Sequence, residues 1–447
     1  MTLSLGGLGI VALAATLNGV FTVPLKFMSG WEWENAWLVY TLVGTIVLPW
    51  ILVAASIPHV VEVYAGAPLS EIGMAAGFGF AWGVGGVLFG VCVTLVGNAL
   101  TFAVVLGLTS CIGSLAPFII DHPDELGSTQ GILNYVALAI VIVSLAVISV
   151  AGTFKDKQQQ RVAKVQAAVA GDVAPLAEAL LERGDDASDV STPAANGGKT
   201  MLGLVLCVVS GLLSPMLNFP LAFCTEIPAR ARSLNASKVR ARPVVSIELR
   251  AAPRSTNELA TSVVPEVSRL TASLRAPRLR LASASQLMAP NTVWALALLF
   301  GMVPNAAYAV FLLIKRGTWR NFCRSCSPQF RDDRSIADGA SSAEAARALL
   351  ALDVCNYALA ALMGGCWFTA NICYSVGAEM LGEQGPVLGW AIFICGMILV
   401  ANVAGFLLRE WEGVELWTIV LQIVGLALVC SAIVCLSLAG LYATKAD

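Results

Sequence analysis

The chain has 447 residues, of which 57% are hydrophobic and only 13% are charged. An average soluble domain carries roughly 25% charged residues, so this composition excludes an ordinary soluble protein. The net charge of −2 gives no basic field that would attract nucleic acid. The sequence therefore predicts a protein whose main partner is the lipid bilayer.

The apolar segments predict an all-α integral membrane protein. A spanning helix needs about 20 mostly apolar residues, and ten runs qualify, near 4–25, 37–56, 72–94, 98–120, 131–152, 200–223, 292–314, 350–376, 386–407 and 416–440. The first run lacks the basic n-region of a cleavable signal, so we expect it to be retained. The runs do not alternate as the strands of a membrane barrel do. Helices satisfy every backbone amide internally, as lipid requires.

The stretch TVPLKFMSGWEWENAW at 22–37 follows the first apolar run and is unusually rich in indoles and charges. Tryptophan rings favour the membrane–water interface, and a lysine can extend its amine toward it. We therefore expect Lys26, Trp31, Trp33 and Trp37 to lie where the first helix leaves the membrane and the second enters.

Polar segments divide the chain. Residues 153–199 form a polar linker between a first unit at 1–152 and a second at 200–440. The second unit is interrupted by an Arg/Ser/Pro-rich stretch at 225–290, which we expect to be a disordered insertion. A further polar loop follows at 316–347.

The charges of the loops predict an orientation. Basic residues follow helices 1, 5, 7 and 9, whereas acidic residues follow helices 2, 4 and 8. The positive-inside rule then places the basic loops in the cytoplasm and both termini outside. The arginine-rich stretch 225–290 breaks the pattern, but loops longer than about 60 residues count little in this rule.

Matching motifs indicate an internal repeat. Helix 1 ends FTVPLKF and helix 6 ends LNFPLAF, so Pro24 and Pro220 take equivalent places. Each proline is preceded by an asparagine, Asn18 or Asn218. Because five helices are an odd number, two such units must be inserted with opposite orientation, as in many transporters. We therefore predict two five-helix inverted repeats, with helices 1 and 6 bent at their prolines.

Glycines are concentrated in helix 3, in the string GFGFAWGVGGVLFG. Gly79, Gly83, Gly86 and Gly90 are three or four residues apart and so share one face. Small residues on one face allow close approach of a second helix. Lining of a cavity is the alternative interpretation.

No catalytic or metal-binding pattern is present. The two histidines, His59 and His122, fall in predicted loops, and the sequence contains no HExxH, Walker A or nucleophile-elbow string. Cys323 and Cys326 form a CxxC, but a structural zinc site needs two more ligands. We therefore expect neither an enzyme nor a bound metal or cofactor.

Neutral polar groups inside the helices point to an uncharged solute. The candidate substrate-binding residues are Asn18, Trp82, Asn98, Asn218, Asn305, Asn356, Trp367, Asn371 and Tyr374. Amides pair with hydroxyls, and ring faces pack on the C–H surfaces of sugars. Each asparagine could instead bridge two helices. Asp353 is the clearest acid within a span and a candidate proton relay, unless it reaches the interface near its helix end.

Several strings resemble the L-rhamnose–proton symporter family of the drug/metabolite transporter superfamily. VPLKFMSGWEWENAWLVYTLVGTIVLPW at 23–50 resembles the family's first two helices. FAWGVGGVLFGVCVTLVGNAL with VVLGLTSCIGSLAPFI resembles helices 3 and 4. GGCWFTANICYSVG and GFLLREWEG resemble helix 8 and the end of helix 9. The stretch 225–290 departs from the family, which has a short connection there.

The resemblance implies a secondary transporter of a neutral sugar, L-rhamnose or a related monosaccharide, by proton symport with alternating access. Its partners would be the sugar and protons, and a homo-oligomer is compatible with it. The plasma membrane or a bacterial inner membrane is the expected location. A relative that carries another metabolite by facilitation or exchange is one alternative. A non-transporting membrane receptor or scaffold that uses the polar loops is another.

Overall fold

Ten long helices make up the fold. The computed structural model describes residues 5–57, 59–169, 197–241, 288–327, 329–330, 341–382 and 385–446, and within these ranges it contains no strand. The helices are α1 Leu5–Phe27, α2 Trp33–Ser56, α3 Leu69–Val96, α4 Leu100–Asp121, α5 Thr129–Ala163, α6 Met201–Phe223, α7 Asn291–Arg316, α8 Ser342–Leu381, α9 Gly385–Leu407 and α10 Leu416–Tyr442. Each is long and apolar enough to cross a membrane. The predicted all-α, ten-span, multi-pass architecture is confirmed.

The helices pack in pairs that relate the two halves of the chain. α1 packs against α8 and α9, and α6 packs against α3 and α4. α2 contacts α7 and α8, while α7 contacts α2 and α3. α4 lies against α9, and α5 lies against α10. If each helix of the first five is replaced by the corresponding helix of the second five, and the reverse, the same set of helix contacts results. This exchange supports two equivalent units, and their opposite orientation in the membrane stays a prediction.

The helices α1 and α6 both change their winding near a proline. α1 is α-helical to Val20 and continues as a 3-10 helix over Val23–Phe27, which contains Pro24. α6 passes through a 3-10 turn over Ser214–Leu217 before a short α-helix over Phe219–Phe223, which contains Pro220. Proline lacks the N–H that an α-helix needs in its interior. The interruption of α1 therefore contains Pro24, whereas that of α6 contains Pro215 and ends just before Pro220.

The glycines of α3 permit close contact with α7. A Cβ atom added at Gly79 would collide with the carbonyl group of Ala297, and one at Gly83 with that of Gly301. Gly90 faces open space instead. The packing interpretation is thus confirmed for Gly79 and Gly83, and it is wrong for Gly90.

The polar segments are only partly described. A helix over Glu226–Ala241 occupies the beginning of the stretch expected to be disordered. The remainder of that stretch up to 287, and most of the linker at 170–196, lie outside the described residues. The loop after α7 forms a 3-10 helix over Thr318–Cys326, and a short helix over Val60–Ala65 follows α2.

Candidate functional site

One end of the molecule is closed by contacts between the two halves. The Glu34 side chain is fully buried, and its carboxylate accepts hydrogen bonds from Arg316 at 3.1 Å and from the Thr318 hydroxyl at 2.7 Å. The Asn356 amide donates to the carbonyl oxygen of Ser29 at 2.9 Å and accepts from its N–H at 3.1 Å. We call this region, formed by residues 29–35, 316–326 and 353–357, the seal. Its contacts join the loop after α1 to the loop after α7 and to α8.

Further contacts reinforce the seal. The Trp31 indole donates to the carbonyl oxygen of Asn321 at 2.9 Å, and its ring meets Tyr357 edge-on. At the same end, Glu410 after α9 pairs with Lys26 and lies 3.7 Å from Lys155 of α5. The tryptophans and charges that the sequence assigned to an interface therefore also hold the ends of several helices together.

The opposite end contains a cleft of about 450 Å³. Its lining comes from the ends of α4, α6 and α8 and the start of α9, namely Asp121, His122, Leu221, Ala222, Thr225, Ala378, Glu379, Gly382 and Pro386. The volume lies within the range of roughly 300–1,000 Å³ that is usual for small-molecule sites. The molecule is thus closed at the seal and indented at the other end.

Hydrogen bonds also join the two halves at the end of the molecule that contains the cleft. The Glu71 carboxylate, only 5% exposed, accepts hydrogen bonds at 2.8 Å from the N–H groups of Glu226 and Ile227. An anion at this position complements the N-terminus of the helix Glu226–Ala241. Burial, assisted by the charge of Glu71, raises the pKa of the nearby Cys224 thiol to about 12. Cys224 is therefore a neutral thiol at physiological pH.

A polar centre lies one helical turn inward from the cleft. Asn218 of α6 is fully buried, and the Tyr374 hydroxyl of α8 donates to its side-chain oxygen at 2.6 Å. The amide nitrogen of Asn218 donates to the carbonyl oxygens of Gly113 at 3.0 Å and Pro386 at 3.1 Å. One side chain therefore connects four helices beneath the cleft.

Several buried polar groups without a hydrogen-bond partner lie in α4, α7 and α8, near this centre in the chain or in contact with it. Within the described part of the chain they include the hydroxyls of Ser114 and Ser375 and the indole N–H of Trp294. Ser114 and Ser375 directly follow Gly113 and Tyr374 in the chain, and the Trp294 ring lies 6.2 Å from that of Tyr374. A buried polar group that lacks a partner costs free energy and calls for an explanation. A ligand rich in hydroxyl groups would satisfy these donors and acceptors.

A second cluster is aromatic and lies toward the seal. The rings of Trp82 and Trp367 are stacked with centroids 5.6 Å apart, and Tyr40 meets Trp367 edge-on at 6.0 Å. The Trp37 indole donates to the Asn305 side-chain oxygen at 3.4 Å. We call these residues, Trp37, Tyr40, Trp82, Asn305 and Trp367, the aromatic cluster.

The remaining candidates occupy separate places. Asn18 is buried in α1, and the Asn371 amide donates to the carbonyl oxygen of Trp367 in its own helix. Asn356 belongs to the seal, where both of its polar atoms are engaged with Ser29. The side chain of Asn98 lies outside the described residues. The candidates therefore do not converge on one pocket.

Asp353 also lies in the seal. Its side chain is 4% exposed, and one carboxylate oxygen accepts from the backbone N–H and the hydroxyl of Ser325 at 3.0 and 2.8 Å. The other oxygen is buried and has no hydrogen-bond partner in the described ranges.

Sequence reasoning missed several residues of these clusters. Trp37, which the sequence assigned to the membrane interface, contacts Tyr40 in the aromatic cluster, and Glu34 is fully buried. Ser114, Ser375 and Trp294 were not singled out. Serines are common in membrane helices, so only the three-dimensional arrangement distinguishes these from others. Within the described ranges, no three or more His, Cys, Asp or Glu side chains are placed to hold a metal ion.

Comparison with known proteins adds independent evidence. Residues 3–171 match the family model for the L-rhamnose-proton symport protein (RhaT). The first half of the chain resembles the L-rhamnose–proton symporters. The predicted family resemblance is thus confirmed for the five helices α1–α5.

Individual relatives agree with the family model. The L-rhamnose-proton symporters of Escherichia coli (strain Crooks) and Shigella dysenteriae serotype 1 are 27% identical to this chain over 148 residues. That of Escherichia coli O1:K1 / APEC is 26% identical over a stretch of the same length. The match covers 33% of this chain and 43% of each relative, which is less than half of their length. No solved structure matches the chain significantly. The relatives are named as transporters, not as enzymes.

Proposed function

We propose that this protein is a secondary transporter that carries a neutral sugar, L-rhamnose or a related monosaccharide, together with protons. The buried polar centre of Asn218 and Tyr374 beneath the cleft, with unpartnered hydroxyl and indole groups on the neighbouring helices, is the observation that carries the proposal. They suit a polyhydroxy ligand because each can donate or accept one of its hydrogen bonds. The names of the relatives favour L-rhamnose within that class.

The cleft would admit the sugar, and the polar centre would bind it. The hydroxyls of the sugar would compete for Asn218 and Tyr374 and so loosen the contact of α6 with α8. The aromatic cluster offers ring faces for the apolar side of the sugar between the polar centre and the seal. Alternating access would follow if α1 and α6, interrupted near Pro24 and Pro220, move so that the seal opens as the cleft closes.

Asp353 is the proposed proton site. Its unpartnered buried oxygen could hold a proton, and protonation would weaken its hold on Ser325. The seal would then open more easily when the proton is bound, which couples proton movement to sugar movement. The proposed location is a plasma membrane or bacterial inner membrane. The loop charges favour an orientation with the seal in the cytoplasm and the termini outside.

Uptake of labelled L-rhamnose into proteoliposomes tests the proposal. We expect accumulation with an inward proton gradient and its loss with a protonophore, with unlabelled sugars as competitors. The Asp353→Asn variant should still equilibrate the sugar but no longer accumulate it. Uptake that ignores the gradient would indicate a facilitator and remove Asp353 from the mechanism. Absence of uptake for every sugar by the folded protein would contradict the sugar assignment.

A further inference from the structure

A disulfide lies in the loop that closes the seal. Cys323 and Cys326 are bonded within the 3-10 helix Thr318–Cys326, and both residues are exposed. The helical winding is broken at Cys323, where φ is −140° and ψ is 71°. The crosslink therefore joins the two sides of a kink, at a place that reagents in solution can reach.

The residues between the two cysteines make contacts of the seal. Ser325 supplies both hydrogen bonds that the Asp353 carboxylate accepts among the described residues. The Arg324 guanidinium donates to the carbonyl oxygen of Ser29 at 3.4 Å. The Phe322 carbonyl, just before the first cysteine, accepts from the Tyr357 hydroxyl at 3.1 Å. A change in the conformation of this short loop would thus act on α8 and on the loop after α1 at once.

The side of the membrane on which this loop lies determines whether its disulfide is expected to be permanent or transient. The loop charges predict that the seal faces the cytoplasm. Disulfides in the cytoplasm are mostly transient and serve redox sensing or catalysis, because thiol systems keep cysteines reduced. Within the described ranges the pair is not part of a cluster of three or more His, Cys, Asp or Glu side chains that could hold a metal ion.

We infer that Cys323 and Cys326 form a redox-modification site that holds the seal closed when oxidised and loosens it when reduced. A dithiol reductant would break the Sγ–Sγ bond by thiol–disulfide exchange. Two electrons and two protons pass to the cysteines, which become thiols, and the reductant becomes a disulfide. The freed loop can then withdraw Ser325 from Asp353. The effect of reduction on the seal is inferred from these contacts. The effect of reduction on sugar uptake rests on the proposed function.

Hydrogen–deuterium exchange of the full chain in lipid nanodiscs tests the inference. We expect dithiothreitol to speed exchange in segments 29–35 and 318–326 by roughly tenfold, as for the loss of about one charge-assisted hydrogen bond. The double variant Cys323→Ser, Cys326→Ser should show the faster rate with or without the reductant. Ser325→Ala should speed exchange in the oxidised protein, since it removes one of the two hydrogen bonds.

Two results would overturn the inference. One is equal exchange in the oxidised and reduced wild-type protein, a comparison that needs no variant. The other is a reductant effect that persists in the double variant, because the effect would then not depend on the Cys323–Cys326 bond. Sugar uptake measured in parallel separates the two proposals. If exchange in the seal depends on the reductant but no sugar is taken up, only the transport function is contradicted. If sugar is taken up but exchange in the seal ignores the reductant, only the redox site is contradicted.

Discussion

The side chain of Asn218 joins several helices at one point beneath the cleft. It is fully buried in α6 and hydrogen-bonds to α4, to α8 and to the start of α9. An asparagine used only to hold two helices together would need fewer partners. Because the cleft lies one turn away, a ligand that competes for this amide would change the contacts of α6 directly. The sequence predicted Asn218 from its place before Pro220, but its partners could not be foreseen.

Removal of the Tyr374 hydroxyl should weaken sugar binding. The Tyr374→Phe variant keeps the ring but leaves the Asn218 side-chain oxygen without its hydrogen bond of 2.6 Å. We expect KM for the transported sugar to rise by roughly fivefold to tenfold, because the sugar loses the Tyr374 hydroxyl as a partner and a hydrogen bond contributes about 1 kcal/mol. Initial uptake rates over a range of sugar concentrations give KM.

Tyr135→Phe is the matched control for this substitution. Tyr135 lies in α5 and is 39% exposed, so loss of its hydroxyl should leave KM unchanged. An unchanged KM in the Tyr374 variant would place the sugar away from the polar centre. The aromatic cluster around Trp367 would then be the better candidate.

At the scale of the helices, the contact between α3 and α7 sets the positions of the aromatic cluster. Gly79 and Gly83 let the two backbones approach, and Trp82 lies between them in the chain. The Asn305 amide of α7 donates to the carbonyl oxygen of Gly83 at 3.3 Å across the same contact. The spacing of the glycines was enough to predict a packing face, but it could not identify α7 as the partner. That choice depends on the arrangement of all ten helices.

A methyl group at this contact should separate the helices. Gly79→Ala would place its Cβ against the backbone of Ala297, which cannot move as a side chain can. We expect the free energy of unfolding to fall by roughly 1–3 kcal/mol, the usual cost of overpacking. Thermal unfolding in detergent measures the loss, and uptake should fall with it because Trp82 and Asn305 shift.

Gly77→Ala provides the control within the same helix. A Cβ atom at Gly77 would meet no atom within 4 Å. This substitution should leave stability unchanged or raise it slightly, because alanine favours a helix over glycine. Equal effects at Gly77 and Gly79 would show that helix propensity, and not the contact with α7, explains the result.

At the scale of the molecule, the two ends differ. The seal joins the loop after α1 and the start of α2 to the second half through Asn356 and Glu34, while the cleft indents the other end. Hydropathy predicted all ten helices because each must match the thickness of the bilayer. The seal could not be predicted, because its partners are up to 327 residues apart in the chain. The inverted orientation of the two units stays a prediction, although the exchange of helix contacts supports it.

The accessibility of single cysteines should reveal which end faces outward. Ala222→Cys lies in the cleft, and Ser29→Cys lies on the exposed surface of the seal. In a background without the exposed free cysteines Cys355 and Cys430, which leaves the Cys323–Cys326 bond in place, a membrane-impermeant maleimide should label position 222 in intact cells and position 29 only in inverted vesicles. Ala36→Cys, fully buried behind the seal, should resist labelling from both sides. The reverse pattern would contradict the orientation derived from the loop charges. Labelling of position 36 from the side of the seal would instead show that the seal opens without substrate, so that the closed form is only one of the conformations in equilibrium.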